Sequence, residues 1–123
     1  MIYLTDDLSF ALSLTGGLPL LQSYPTDATQ VKNLLQTNDW RSCVTSKFAE
    51  GKLKEILKCD VALYKKDLFR IKEEDLIIYF RTELWFRDDE VLTKKQIQQL
   101  LFKFSAVKIV DVVGIDDTAK YLN

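Results

Sequence analysis

Histidine is absent from the 123 residues, so no Ser-His-Asp triad, no His-activated cysteine and no imidazole acid or base can operate in this chain. Its two cysteines, Cys43 and Cys59, lie far from a CxxC spacing inside apolar stretches, where a reduced thiol serves as a small hydrophobe. A zinc site would have to draw on Asp, Glu and those two thiols. The acidic run Asp88-Asp89-Glu90 lacks the alternation of a calcium loop. No metal site and no cofactor is expected.

What remains for chemistry is hydroxyls, amines and guanidinium groups, which suit an anion. Residues 47–72 carry eight positive charges, among them Lys47, Lys65, Lys66 and Arg70, against four negative ones, whereas residues 1–31 carry Asp6, Asp7 and Asp27 and neither Lys nor Arg. That basic stretch provides a local surface for one small anionic ligand, and solvated helix and strand faces account for the same charges. The total of 17 − 18 = −1 speaks against a protein built to coat duplex DNA. Ser46 is placed to cap a helix, and the same helix N-terminus favours a phosphate. Among the aromatics, Trp40 and Phe80 read as core. Trp85 and Phe86 stand beside Arg87-Asp88-Asp89, where two large rings are hard to bury at once, so they read as a dimer or partner interface.

The elements that must position these residues can be read from periodicity. Met1–Thr5 reads as a strand, residues 6–14 as a turn and short helix stopped by Gly16-Gly17, and Leu18–Tyr24 as a strand with a weak pattern. A helix comes next, with Thr26 or Asp27 as N-cap and Val31, Leu34 and Leu35 on one face. Trp40–Thr45 reads as a strand before a helix in which Ala49, Leu53, Ile56 and Leu57 share a stripe. Val61–Arg70 and Leu76–Glu83 suggest an antiparallel hairpin turning at Lys72–Asp75, with Leu76–Phe80 apolar on both faces as in a central strand. The capping box Thr93-x-x-Gln96 opens a helix predicted to reach Phe104, and Val107–Val113 reads as the last strand.

This order implies an α/β (α+β-like) single domain over residues 1–114, a mixed sheet of four to six strands flanked by helices on both faces, with residues 115–123 as a C-terminal tail. With 47% apolar and 28% charged residues, four Gly and two Pro, disorder and low-complexity classes are excluded. No basic, apolar, small-residue leader pattern and no membrane-spanning run is present, so the expected setting is cytoplasmic, with no membrane partner.

Three blocks of the chain resemble the viral ring nucleases, anti-CRISPR enzymes of viruses and mobile elements that degrade cyclic tetra-adenylate in type III immunity. The first is Tyr3-Leu4-Thr5-Asp6-Asp7-Leu8-Ser9-Phe10, similar to the family's opening strand followed by Asn, a small residue, Phe and Ser. The second runs from Ser42 to Val61, with Ser42-Cys43-Val44-Thr45-Ser46 where the family has Ser-Ala-Ile-Gly-His. The third runs from Glu74-Asp75-Leu76-Ile77-Ile78 to Glu90-Val91-Leu92-Thr93. Together they span most of residues 3–97.

The resemblance places Ser46 on the family's acid histidine, a hydroxyl that is no effective acid near neutral pH. The family's Arg-Leu-Pro-Glu-Gly turn falls on Trp85-Phe86-Arg87-Asp88-Asp89, where Asp88 keeps the carboxylate and Arg87 stands in for the arginine. An Asn-Arg pair becomes Tyr64-Lys65, a bidentate contact reduced to a point charge, and the opening Asn becomes Asp6. Ser9 is unchanged. The resemblance thus implies Ser46, Arg87 and Asp88 at catalytic positions and Ser9, Lys47 and Lys65 at ligand positions. The expectation is a divergent, non-catalytic homologue: a homodimer in the host cytoplasm that modulates defence by sequestering a cyclic oligoadenylate or contacting a host defence protein. Two alternatives stay open. One is an active metal-independent ring nuclease in which Ser9, Lys47, Arg87 and Asp88 supply positioning and charge. The other is a small interaction domain, unrelated to nucleotides, that uses Trp85-Phe86.

Overall fold

The computed structural model describes residues 1–66, 69–82 and 102–114. Its strands and helices run in the order β1 (Ile2–Thr5), α1 (Leu8–Ser13), β2 (Leu18–Thr26), α2 (Ala28–Thr37), β3 (Trp40–Ser42), α3 (Lys47–Leu57), β4 (Leu76–Thr82) and β5 (Phe102–Val113). They form a five-stranded sheet in the order β2-β5-β4-β1-β3. β1 pairs in parallel with β3 and with β4, and β5 pairs antiparallel with β4 and β2. The mixed α/β architecture expected from the alternating pattern is the one observed.

Alternation of side chains sorts the core into two layers. Ile2, Leu4, Ile78, Phe80, Phe104 and Ala106 meet Val31 and Leu35 of α2 and Ala49, Leu53 and Leu57 of α3. On the other face Tyr3, Ile77, Val107 and Ile109 meet Ala11 of α1 and Ile71. Leu53 is fully buried, which stabilises the fold by roughly 1.5–3 kcal/mol relative to an exposed Leu.

The helices begin where their capping residues stand. Asp7, Asp27 and Ser46 each have extended backbone and accept the N–H three residues on, from Phe10, Gln30 and Ala49. Asp27, rather than Thr26, is therefore the cap of α2. Gly16 takes φ +72 after α1, a conformation open to glycine without penalty.

Several expectations are corrected. The described residues of Val61–Arg70 form no strand: they make a single parallel bridge, Leu63 to Val44, and Lys66 then turns to φ +46. The turn at Lys72–Asp75 does form, with Lys72 N–H donating to the Asp75 carboxylate at 2.8 Å. It delivers β4 to β1 and β5 instead of closing a hairpin. The helix predicted to reach Phe104 cannot do so, because Phe102, Lys103 and Phe104 belong to β5; residues 93–101 and the tail 115–123 lie outside the described residues. Finally, β2 is not marginal but nine residues long.

Two glycines make opposite demands on their surroundings. A methyl group on Gly51 in α3 meets no atom within 4 Å, whereas one on Gly17 would collide with the Val113 carbonyl oxygen. Gly51→Ala is therefore expected to raise stability by about 0.5–1 kcal/mol. Gly17→Ala is expected to lower it by roughly 1–3 kcal/mol, since main-chain atoms have to move. Urea unfolding midpoints of the two variants check both signs.

Candidate functional site

The carboxyl ends of β1 and β3 bring the polar residues of the first and second sequence blocks together. Thr5, fully buried at the end of β1, sets the turn: its hydroxyl accepts Asp7 N–H at 3.1 Å and has the carbonyls of Asp7 and Cys43 at 3.0 and 3.1 Å to donate to. That turn points Asp6 at the start of α3. One carboxylate oxygen of Asp6 accepts Thr45 N–H at 2.8 Å and the Thr45 hydroxyl at 3.2 Å, while the other accepts Ser46 N–H at 3.1 Å. Ser46 itself caps the helix, accepting Ala49 N–H at 3.2 Å. The main-chain donors leading into α3 thus hold an anion supplied by the chain itself.

Beside this turn lies a pocket of about 390 Å³ lined by Arg41, Ser42, Ala62, Leu63, Lys65 and Phe69. Among the described residues its wall carries two cations and no acid. Ser42 secures its floor by donating its hydroxyl to the Ala62 carbonyl, and Tyr64 N–H donates to Val44 O at 2.8 Å. The Arg41 guanidinium sits 5.0 Å from the centre of the Phe69 ring. Phe69 in turn stacks on Tyr3 at 5.4 Å and meets Tyr64 edge-on at 5.9 Å, and Phe10 packs against Tyr64 at 4.9 Å. Burial, with the Asp75 charge as a smaller cause, pushes the Tyr3 phenol up. Cations against an aromatic face suit an anionic ligand with flat rings.

Two further cavities are differently made. One of about 510 Å³ beside the end of β5 mixes Arg70 and Lys72 with Glu73, whose carboxyl is pushed up by a hydrogen bond to Asp111 and by that residue's charge. Another, of about 470 Å³, mixes Arg81 and Lys103 with Asp27 at the start of α2.

Of the residues proposed from sequence, Ser46 and Lys47 stand at the N-terminus of α3, Ser9 is exposed in α1, and Lys65 is exposed at the rim of the basic pocket. Trp85, Phe86, Arg87 and Asp88 lie outside the described residues. Sequence reasoning overlooked Arg41 and Phe69 as a pair, and it valued Asp6 only as a replaced Asn. The alternation in Trp40-Arg41-Ser42 was the one available signal, since it turns Arg41 away from its half-buried neighbours.

The cysteines differ from each other. Cys43 is buried behind β1 and free, and burial raises its thiol to about 11, more than the Arg41 charge lowers it. Cys59 is free but exposed, so the reading of both as core thiols is corrected for Cys59. No helix among the described residues is long and apolar enough to cross a membrane. Neither a protein-family model nor a curated protein matches the sequence.

Asp6→Asn removes the charge at the α3 N-terminus and is expected to cost about 1 kcal/mol in urea unfolding at neutral pH. Alkylation of the native protein near pH 8 is expected to label Cys59 and spare Cys43, which stays protonated until the pH approaches the raised value and reacts only on unfolding; peptide mass mapping reads the difference.

Proposed function

We propose that this protein is a non-catalytic relative of the viral ring nucleases that binds a cyclic oligoadenylate in the Arg41–Lys65–Phe69 pocket and so withholds the signal from a host defence system. The observation that carries this reading is the pocket wall: Arg41 and Lys65 for phosphate charge, and Phe69 and its aromatic neighbours for a base, with no carboxylate among the described lining residues. Lys65 is also the residue that the resemblance places at a ligand position. A charge-assisted phosphate contact and a stacked base each favour binding without requiring proton transfer.

The non-catalytic part rests on two facts. The chain has no histidine, and the main-chain donors at Thr45 and Ser46, a ready place for a phosphate, already hold the Asp6 carboxylate. A scissile phosphate brought to them meets a like charge.

Native mass spectrometry with excess cyclic tetra-adenylate tests the reading. Binding of the intact ring is expected, with no linear product. Arg41→Ala and Lys65→Ala are each expected to weaken binding by about tenfold, the equivalent of one lost charge-assisted contact, and Asp6→Asn to tighten it by removing a repelling charge. Linear product would overturn the non-catalytic reading. An unliganded protein, or affinity unmoved by both cation variants, would overturn the pocket.

A further inference from the structure

β2 ends the sheet among the described residues and differs from the opposite edge. β3 is three residues long and carries Arg41 at its centre, and its continuation is bridged at Val44 by Leu63. Short length, charge and cover are the usual means of blunting an edge. β2 spans nine residues, Leu18-Pro19-Leu20-Leu21-Gln22-Ser23-Tyr24-Pro25-Thr26, without a charge. Leu18 and Leu20 are each 54% exposed, Tyr24 48% and Leu21 41%.

The direction of its main-chain groups is set by β5. Ile109 directs both of its groups toward β4, donating to Asp75 O at 3.0 Å and accepting from Glu74 N at 2.9 Å. Its cross-strand partner Leu21 is therefore at a non-hydrogen-bonded position, with N–H and C=O turned to the open edge. The register shift between Leu20 and Leu21 places its extra residue, Val110, on β5, so β2 keeps its own alternation. Ser23, opposite Val107, shares the orientation of Leu21. So do Pro19 and Pro25, which have no N–H to offer. The open edge can donate at Leu21 and Ser23 and is closed to donation at a proline on either side, symmetrically about Gln22.

We infer that β2 is the docking strand for a second copy of this chain, paired antiparallel about a two-fold axis through Gln22. In that register Leu21 of each copy exchanges both main-chain hydrogen bonds with Ser23 of the other. Pro19 faces Pro25, so the missing N–H groups fall opposite each other and the donors at Leu21 and Ser23 all meet carbonyls. On the α2/α3 face, where Tyr24 and Thr26 lie beside Ala106 and Phe104, Leu20 of one copy packs against Tyr24 of the other. These two exposed apolar side chains thereby cover each other, and an uncharged strand opposes itself without repulsion. The axis through Gln22 is the one that sets Leu20 against Tyr24.

Gln22 then faces its own copy in a non-hydrogen-bonded pair, at a Cα separation of about 4.5 Å, within disulfide range. In a Cys59→Ser background, Gln22→Cys is expected to form an intermolecular disulfide under mild oxidation, while Leu20→Cys and Tyr24→Cys are not. Light scattering on unmodified protein is expected to give a dimer. Leu20→Lys with Tyr24→Lys should yield monomer, and Leu20→Glu with Tyr24→Lys should keep the dimer, because the introduced acid and base face each other across the axis. A monomeric unmodified protein, cross-linking strongest from Leu20→Cys or Tyr24→Cys, or equal behaviour of the two double variants would overturn the inference. All of these readouts are independent of nucleotide binding.

Discussion

A strand buried on both faces and flanked in parallel on both sides dictates the rest of the molecule. Every residue of Ile2–Thr5 is buried, and both of its neighbours, β3 and β4, run in its own direction. Parallel neighbours cannot be reached by a tight turn. The chain must leave the end of β1, travel back along the sheet and re-enter, and α1, β2 and α2 lie on that return path before β3. The second return, through α3 and residues 58–75, brings β4 to the other side. The helices cover both faces because a strand buried on both faces needs apolar cover above and below.

The same constraint locates the site. With β1 and β3 parallel, their carboxyl ends lie together, and the residues leaving the two strands meet there: Asp6 beyond β1, and Thr45 and Ser46 beyond β3. Open parallel arrangements characteristically place ligands at this end. Here the Thr45 and Ser46 amides that lead into α3 already hold Asp6, which gives the fold a tie between segments far apart in sequence. Two positive charges lie to one side, at Arg41 and Lys65, and Arg41 is backed by the Phe69 ring and not by helix amides. Side-chain cations backed by rings offer an anion point contacts rather than a row of aligned amides.

How much of this was legible in the sequence depended on how local the cause was. Asp27 and Ser46 were readable as caps because a cap and the N–H it satisfies lie three residues apart. Leu76–Phe80 was readable as a central strand because burial on both faces leaves a continuous apolar run. Val61–Arg70 misled because its apolar content matches a strand, whereas both sides of β1 were already occupied and only Leu63 found a bridge. The over-long final helix misled for another reason: Phe104 fits a helical stripe with Ile97, Leu100 and Leu101 and also the two-residue alternation from Phe102 to Ala106. Both rings lie against Phe80, at 5.4 and 5.3 Å, and that long-range contact decides between the two periods. Asp6 with Thr45 and Ser46, and Arg41 with Phe69, join residues far apart in the chain, so no spacing rule could pair them.

The two ends of the sheet show how one strand order separates two tasks. β3 is short and charged, which suits a rim that admits a ligand and resists another strand. β2 has a partner on one side alone among the described strands, so its alternation carried little signal in the sequence: most of its side chains are exposed on both faces. That weak pattern has a physical cause. An edge strand that does not have to hide one face within its own chain is free to place apolar residues on either, and leucines and tyrosine in such a place remain a cost in water until something covers them. Pro19 and Pro25 narrow what can do so, since each removes a donor from the open edge while leaving Leu21 and Ser23 between them. A strand chosen only to repel pairing would be better served by a lysine at Gln22 than by an uncharged amide at its centre.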